Sequence, residues 1–209
     1  MAKGQWLAGG KISLNGLKNR YPKTVQCKGE EIELILLESL ETDSVKSFTD
    51  HLEDEDLLFL SRDIRQPKVI EAWSRSLESG DIVTIAAMRQ GEIVGTTAVV
   101  QDKLSWSSHV GELRILVRPD VRDISLGRIL IQESFLMGLD LGLEKLTVRM
   151  LLGQDRAITV FEEMGFRTEA MFRDHVKDPS GKKFDLLMMS HDVAGVQSRM
   201  QAYGLDEAL

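Results

Sequence analysis

Hydrophobic positions fall in short runs along the chain, separated by glycines, prolines and charged residues, and the runs alternate between two periods. Ile32 to Leu37 is a compact apolar run after a Lys28-Gly29 turn and predicts a strand. Val45, Phe48 and Leu52 then recur at helical spacing, ahead of an acidic stretch from Glu53 to Asp56. Pro67 suits the first position of a second helix, which carries Ile70, Trp73 and Leu77 on one face and stops at Gly80. Residues 81–88 and 93–100 are β-rich and joined through Gln90-Gly91, a hairpin turn. A strand over 110–117 ends at Pro119, and a helix over 126–141 stops at Gly142. Residues 145–152 predict a strand. Ala157, Val160, Phe161 and Met164 form the stripe of a short helix closed by Gly165. Two strands complete the pattern, one from Phe166 and one over 184–190, with a turn at 178–181. The order β α α β β β α β α β β predicts an α/β layered fold, a single domain with a mixed central sheet and a parallel crossover within 110–152.

Outside these runs lie residues 1–24, rich in glycine and basic residues and without hydrophobic period, which read as a mobile arm. Residues 193–209 read as a polar tail. Composition narrows the class further. In 209 residues there are 26 Lys plus Arg against 33 Asp plus Glu, a formal charge of −7. That balance argues against a nucleic-acid partner, because phosphate neutralisation needs a basic excess. No apolar run reaches the roughly 20 residues that span a bilayer, so no membrane role is expected. The first residues lack the charged and then apolar signature of a secretory signal, and a cytoplasmic location is expected. The single cysteine, Cys27, leaves no internal disulfide, and His51, His175 and His191 lack ligand spacing, so no metal is expected.

Candidate chemistry concentrates between Val110 and Gly127, where a strand runs through a loop of small and basic residues straight into a helix. Unpaired N–H groups at a helix N-terminus, helped by the helix dipole, form a cradle for phosphate. Arg122 and Arg128 add charge-assisted donors, and Ser125 and Gly127 let a ligand approach the backbone. By itself the stretch equally describes a plain β–α connection with surface arginines.

Its surroundings make it specific. Arg122-Asp123-Ile124-Ser125-Leu126-Gly127 resembles the acyl-CoA-binding motif Gln/Arg-x-x-Gly-x-Gly/Ala of the GNAT superfamily of N-acetyltransferases. The strand ending Leu116-Val117-Arg118-Pro119 fits the same pattern. So does the later series Gln154, Ala157-Ile158, Phe161 and Gly165-Phe166. The resemblance covers about residues 25–192 and implies a single GNAT-like domain, with splayed parallel central strands and acetyl-CoA as co-substrate. It implies that the pyrophosphate meets the amides from Arg122 to Gly127, with Arg128 beside them. The pantetheine arm would pair with backbone at Ile115, Leu116 and Val117, and the N–H of Val117 would receive the developing oxyanion. An amine, on a small molecule or a protein, would attack the thioester directly.

The sequence departs from the family at three positions. The first motif glycine is Ser125, the frequent asparagine is Gln154, and the tyrosine that often protonates the leaving thiolate is Phe161, either a core aromatic or a coenzyme contact. Glu112 and His109 are the candidate general bases; Arg149 stands where another branch has a glutamate. The acidic run with Asp63 is a candidate attractor for a cationic amine, and Trp106 a candidate edge of the acceptor cleft. Two further readings stand beside an enzyme: a non-catalytic acyl-CoA-binding regulatory module, and an interaction protein whose phosphate loop is coincidence. Exposed edge strands make a homodimer a candidate assembly.

Overall fold

The computed structural model describes residues 14–195. Its elements are α1 (Leu14–Arg20), β1 (Lys23–Cys27), β2 (Glu30–Leu36), α2 (Thr42–Thr49), α3 (Asp54–Leu57), α4 (Pro67–Ser79), β3 (Ile82–Arg89) and β4 (Glu92–Val100). β5 (Val110–Val117), a 3-10 turn (Pro119–Ile124), α5 (Leu126–Asp140), β6 (Lys145–Leu151), α6 (Asp155–Glu163), β7 (Arg167–Lys177) and β8 (Lys183–Asp192) follow. The eight strands make one sheet in the order β1-β2-β3-β4-β5-β6-β8-β7. Every neighbouring pair is antiparallel except β5 and β6, which are parallel and joined through α5.

Local chemistry explains the boundaries. Pro67 opens α4 and Gly80 closes it at φ 69°, a left-handed C-cap that glycine adopts without steric cost. Gln90 and Gly91 both take positive φ, 53° and 83°, as the tight β3–β4 hairpin turn requires. Strand alternation then divides the core. Leu113, Leu146 and Val148 face α5 and join Leu126, Leu130 and Phe166. Leu116 and Leu151 face the other way and join Phe48, Leu57 and Phe59 from α2 and α3.

The mobile arm expected over 1–24 gives way to structure in its second half, while residues 1–13 lie outside the described residues. Leu17 of α1 is fully buried in the α5-side core. Two buried carboxylates of α5 hold the segment. Glu133 accepts from the Tyr21 hydroxyl at 2.5 Å and pairs with Lys23 at 2.7 Å, and Asp140 pairs with Arg20 at 2.9 Å. β1, also absent from the expected pattern, pairs with β2 in register from Lys23↔Leu34 to Cys27↔Glu30. Of the expected polar tail, Val193 is buried in the same core, and 196–209 lie outside the described residues. Among the described residues, no helix is long and apolar enough to cross a membrane, and no group of three or more His, Cys, Asp or Glu is placed to hold a metal.

Candidate active site

The parallel pair at the sheet centre opens part-way along. Register between β5 and β6 runs from Val110↔Lys145 to Leu113↔Val148 and stops there. β5 stays paired with β4 as far as Val117↔Gly95, and β6 stays paired with β8 as far as Leu151↔Leu186. Beyond Leu113 the two strands therefore separate while each keeps its outer partner. The Arg118 N–H donates to the Val94 carbonyl, so alternation turns the backbone groups of Ile115 and Val117 away from β4 and into the gap.

A cavity of about 570 Å³ occupies the gap. On its α5 side it is lined by Ile115, Val117, Ile131, Met150 and Phe161; on its α2–α3 side by Phe59, Leu116, Asp56 and Arg149. The cavity thus passes through the sheet rather than lying on one face of it. At one end stands the start of α5. Its first amides have no partner inside the helix, since the first turn closes with Ile129 N–H to the Ser125 carbonyl. Ser125 adopts φ 70°, ψ 10°, a left-handed conformation that turns the chain from the 3-10 turn into the helix. A Cβ built on Gly127 would meet only Val117 Cγ2, at 3.9 Å. The protein does not need that glycine for its own packing, and its bareness leaves the helix start open to the cavity.

The candidate residues separate into several fates. Ile115, Leu116, Val117, Arg122, Asp123, Ser125, Gly127, Arg128, Gln154 and Phe161 all line the cavity. Ile124 and Leu126 do not; they pack inward, Leu126 with no exposed surface, and only the backbone of Leu126 belongs to the helix start. Arg122 donates through Nε to the Val117 carbonyl at 3.1 Å and pairs with Asp56 at 2.6 Å. Arg128 pairs with Glu163, and Asp123 with Arg156 at 2.5 Å. Gln154 accepts the Leu151 N–H through Oε1 at 3.2 Å, at the start of α6. Phe161 is buried and meets Phe166 edge-on, ring centres 5.0 Å apart, so it is a core aromatic that also walls the cavity.

The two candidate bases fare differently from the cradle. His109 is exposed at the start of β5, where β5 and β6 are still paired; eight residues of strand set it about 25 Å from Val117. Trp106, fully exposed in the loop before it, is not among the residues that line the cavity. Glu112 lies on the α2–α3 face. Its carboxylate accepts from Arg114 Nε at 2.8 Å and from Arg149 Nη2 at 2.8 Å on both oxygens. Burial alone pushes its pKa up, but the two guanidiniums outweigh that and hold it below the ordinary carboxylate range. A carboxylate so held is a fixed counter-ion, with little affinity for an amine's proton.

Sequence reasoning passed over Lys28, Asp56 and Phe59 as lining residues. Only the acidity of the run over 53–56 pointed to this region. Asp56 closes a capping box with Glu53 on α3 while its other oxygen takes Arg122, so it ties the α2–α3 wall of the cavity to the turn before α5.

An open central strand pair, a bare helix start at its mouth and a cavity through the sheet make a cleft suited to an extended ligand with an anionic end. The chain belongs to a family of acetyltransferases: the acetyltransferase (GNAT) family model matches residues 38–166. The family uses acetyl-CoA. No curated protein sequence matches the chain. Among solved structures, a GNAT-family acetyltransferase from Streptococcus pneumoniae is similar at 21% identity and TM-score 0.61, covering 77% of this chain and 99% of that one. A phosphinothricin acetyltransferase from Sinorhizobium meliloti, solved with acetyl-CoA, is similar at 15% identity and TM-score 0.61 over 76% and 88%. Spermidine N-acetyltransferase from Vibrio cholerae, solved with CoA and spermine, is similar at 15% identity and TM-score 0.62 over 77% and 96%.

Proposed function

We propose that the chain is an acetyl-CoA-dependent N-acetyltransferase that moves the acetyl group directly to a primary amine of a small molecule or protein. The observation that carries this is the cavity through the splayed strands, with the unpartnered start of α5 at its mouth. Acetyl-CoA supplies an activated thioester and a thiol leaving group. The amides from Ser125 to Arg128, with the guanidinium of Arg122, hold the pyrophosphate. The backbone of Ile115 and Val117 orients the pantetheine arm as an added strand, and the Val117 N–H faces the carbonyl oxygen that gains charge. Phe161 has no proton to give; a thiol of ordinary acidity, near 8.5, leaves as thiolate without one. On the α2–α3 side the lining carboxylate is Asp56, already held by Arg122, and Glu112 is held by two arginines. Glu112 is thus no base, and the amine gives its proton to water or to Asp56 once the pyrophosphate has drawn Arg122 away.

Thermal unfolding of the full chain with acetyl-CoA, CoA or ATP tests the coenzyme site. Acetyl-CoA at a hundred times its Kd adds about 2.7 kcal/mol, which raises Tm by roughly 5–10 °C in a chain of this size. Arg122→Glu reduces the shift, and ATP gives none. Thiol release across a panel of amines then tests turnover. Protection without turnover on any amine favours the regulatory module, which the missing proton donor at Phe161 supports. No protection by either CoA form at millimolar concentration sinks the coenzyme reading.

A further inference from the structure

The acceptor side of the cleft carries a charge pattern that narrows the substrate class, and this inference rests on the acetyltransferase reading above. Glu112, Arg114 and Arg149 share the α2–α3 face of β5 and β6. Arg114 and Arg149 both donate to the one Glu112 carboxylate at 2.8 Å, and Ser61 Oγ sits 3.3 and 3.5 Å from their Nη2 atoms. Two guanidiniums with one carboxylate leave the cluster with a formal charge of +1. Arg149 lines the cavity, and its Nε is buried with no acceptor among the described residues. A buried N–H left unpaired in this way is costly, so the site is one acceptor short.

Most of the anionic groups that would draw a polycation are, by contrast, already paired. Asp54 and Asp63 both pair with Arg65, at 2.6 and 2.9 Å; Asp56 pairs with Arg122, and Glu55 with Lys182 at 3.4 Å. Three cations thus engage four of the five carboxylates of 53–56 and Asp63, which weakens the attraction for a cationic amine that the sequence suggests.

We propose that the acceptor is a small amine bearing a carboxylate, of the amino-acid class, whose carboxylate is received by Arg149 with Arg114 behind it. Along β5, Arg114 and Val117 are three residues apart, about 10 Å. The acceptor's length and the Arg149 side chain together cover that distance, which brings the amine towards the Val117 N–H. A guanidinium fork suits this task because it meets a carboxylate through two parallel donors.

The test is thiol release from acetyl-CoA by the full chain. The panel holds each proteinogenic amino acid beside its carboxamide, other small amino carboxylates, and spermidine. At least one amino carboxylate is expected to exceed its carboxamide by about tenfold or more in kcat/KM, the scale of one charge-assisted hydrogen bond. For that substrate Arg149→Gln raises KM by about tenfold and moves the carboxamide's KM by less than about twofold. Glu112→Gln, which takes away the resident anion, lowers the carboxylate's KM. Opposite signs from two substitutions in one cluster are not produced by damage to the fold. The inference is overturned if acid and amide react equally, if spermidine is preferred, or if Arg149→Gln weakens both members of a pair alike. It is also overturned if no panel member is acetylated although acetyl-CoA protects the fold. Protection measured on the same samples separates the two levels: with protection only the acceptor class fails, and without it the acetyltransferase reading fails too.

Discussion

Replacing Asp56 by Asn is expected to loosen the free protein and tighten its hold on acetyl-CoA by the same amount. Asp56 pairs with Arg122 at 2.6 Å, and the two side chains are 14% and 38% exposed. A pair at that depth sits above the fully exposed case of about 0.2–1 kcal/mol, and solvent at the Arg122 end keeps it near about 1 kcal/mol. Asparagine still accepts the Glu53 N–H through its amide oxygen, so the capping box at α3 keeps that bond. What disappears is the anion that competes with pyrophosphate for Arg122. On the proposed coenzyme site, binding of acetyl-CoA breaks this pair, so removing it costs the free state alone. The free variant therefore loses about 1 kcal/mol, or about 2–4 °C in Tm. Its acetyl-CoA Kd falls about fivefold, the same energy seen from the other side. Isothermal titration measures the Kd, and thermal unfolding with and without saturating acetyl-CoA measures the gap between variant and wild type. That gap closes when the ligand is present. A variant that is less stable yet binds acetyl-CoA no more tightly refutes the competition between Asp56 and pyrophosphate.

Three other perturbations check separate parts of the account. Ser125→Gly relieves about 1–2 kcal/mol of left-handed strain at φ 70° against about 0.5–1 kcal/mol of added chain entropy, so Tm rises by roughly 1–4 °C; a fall would mean the Ser125 side chain holds the turn. Leu17→Ala removes a side chain with no exposed surface and costs about 2–5 kcal/mol, a Tm loss of roughly 5–15 °C; an unchanged Tm would restore the mobile arm. Because Glu112 is held below the ordinary 4.5, it stabilises the fold fully above that value, and the contribution is lost as pH falls through its lower folded value. The stability difference between wild type and Glu112→Gln therefore shrinks through the acid range below 4.5, and a difference that grows there contradicts the two-arginine pairing.

What the sequence made legible was whatever period and punctuation encode. Pro67 and Gly80 delimit α4, the Gln90-Gly91 turn sets the first hairpin, and the strand–helix–strand unit from Val110 to Leu151 is plain in its apolar runs. α1 escaped because its place depends on one leucine and on salt links to buried acids of α5 more than a hundred residues away, which no local period records. The cradle was readable because a helix start is local. The acceptor side was not: Glu112, Arg114, Arg149 and Ser61 come from three segments, and only the sheet brings them together. His109 and Glu112 were near the motif in sequence, and strand direction separated one from the cleft while two arginines neutralised the other.

The gap between β5 and β6 has a consequence for how the backbone exchanges its hydrogens. Along the last turn of pleat in β5, the amides of Arg114 and Leu116 are tied to β4, whereas those of Ile115 and Val117 look into the open cavity. In deuterated water a strand buried at the centre of an eight-stranded sheet should then show an alternation, slow at even positions and fast at odd ones, of the kind an edge strand ordinarily shows. A ligand lying in the gap as an extra strand would erase the alternation and leave the even positions as they were. The exchange record of four consecutive residues would thus report occupancy of the cleft without reference to any reaction.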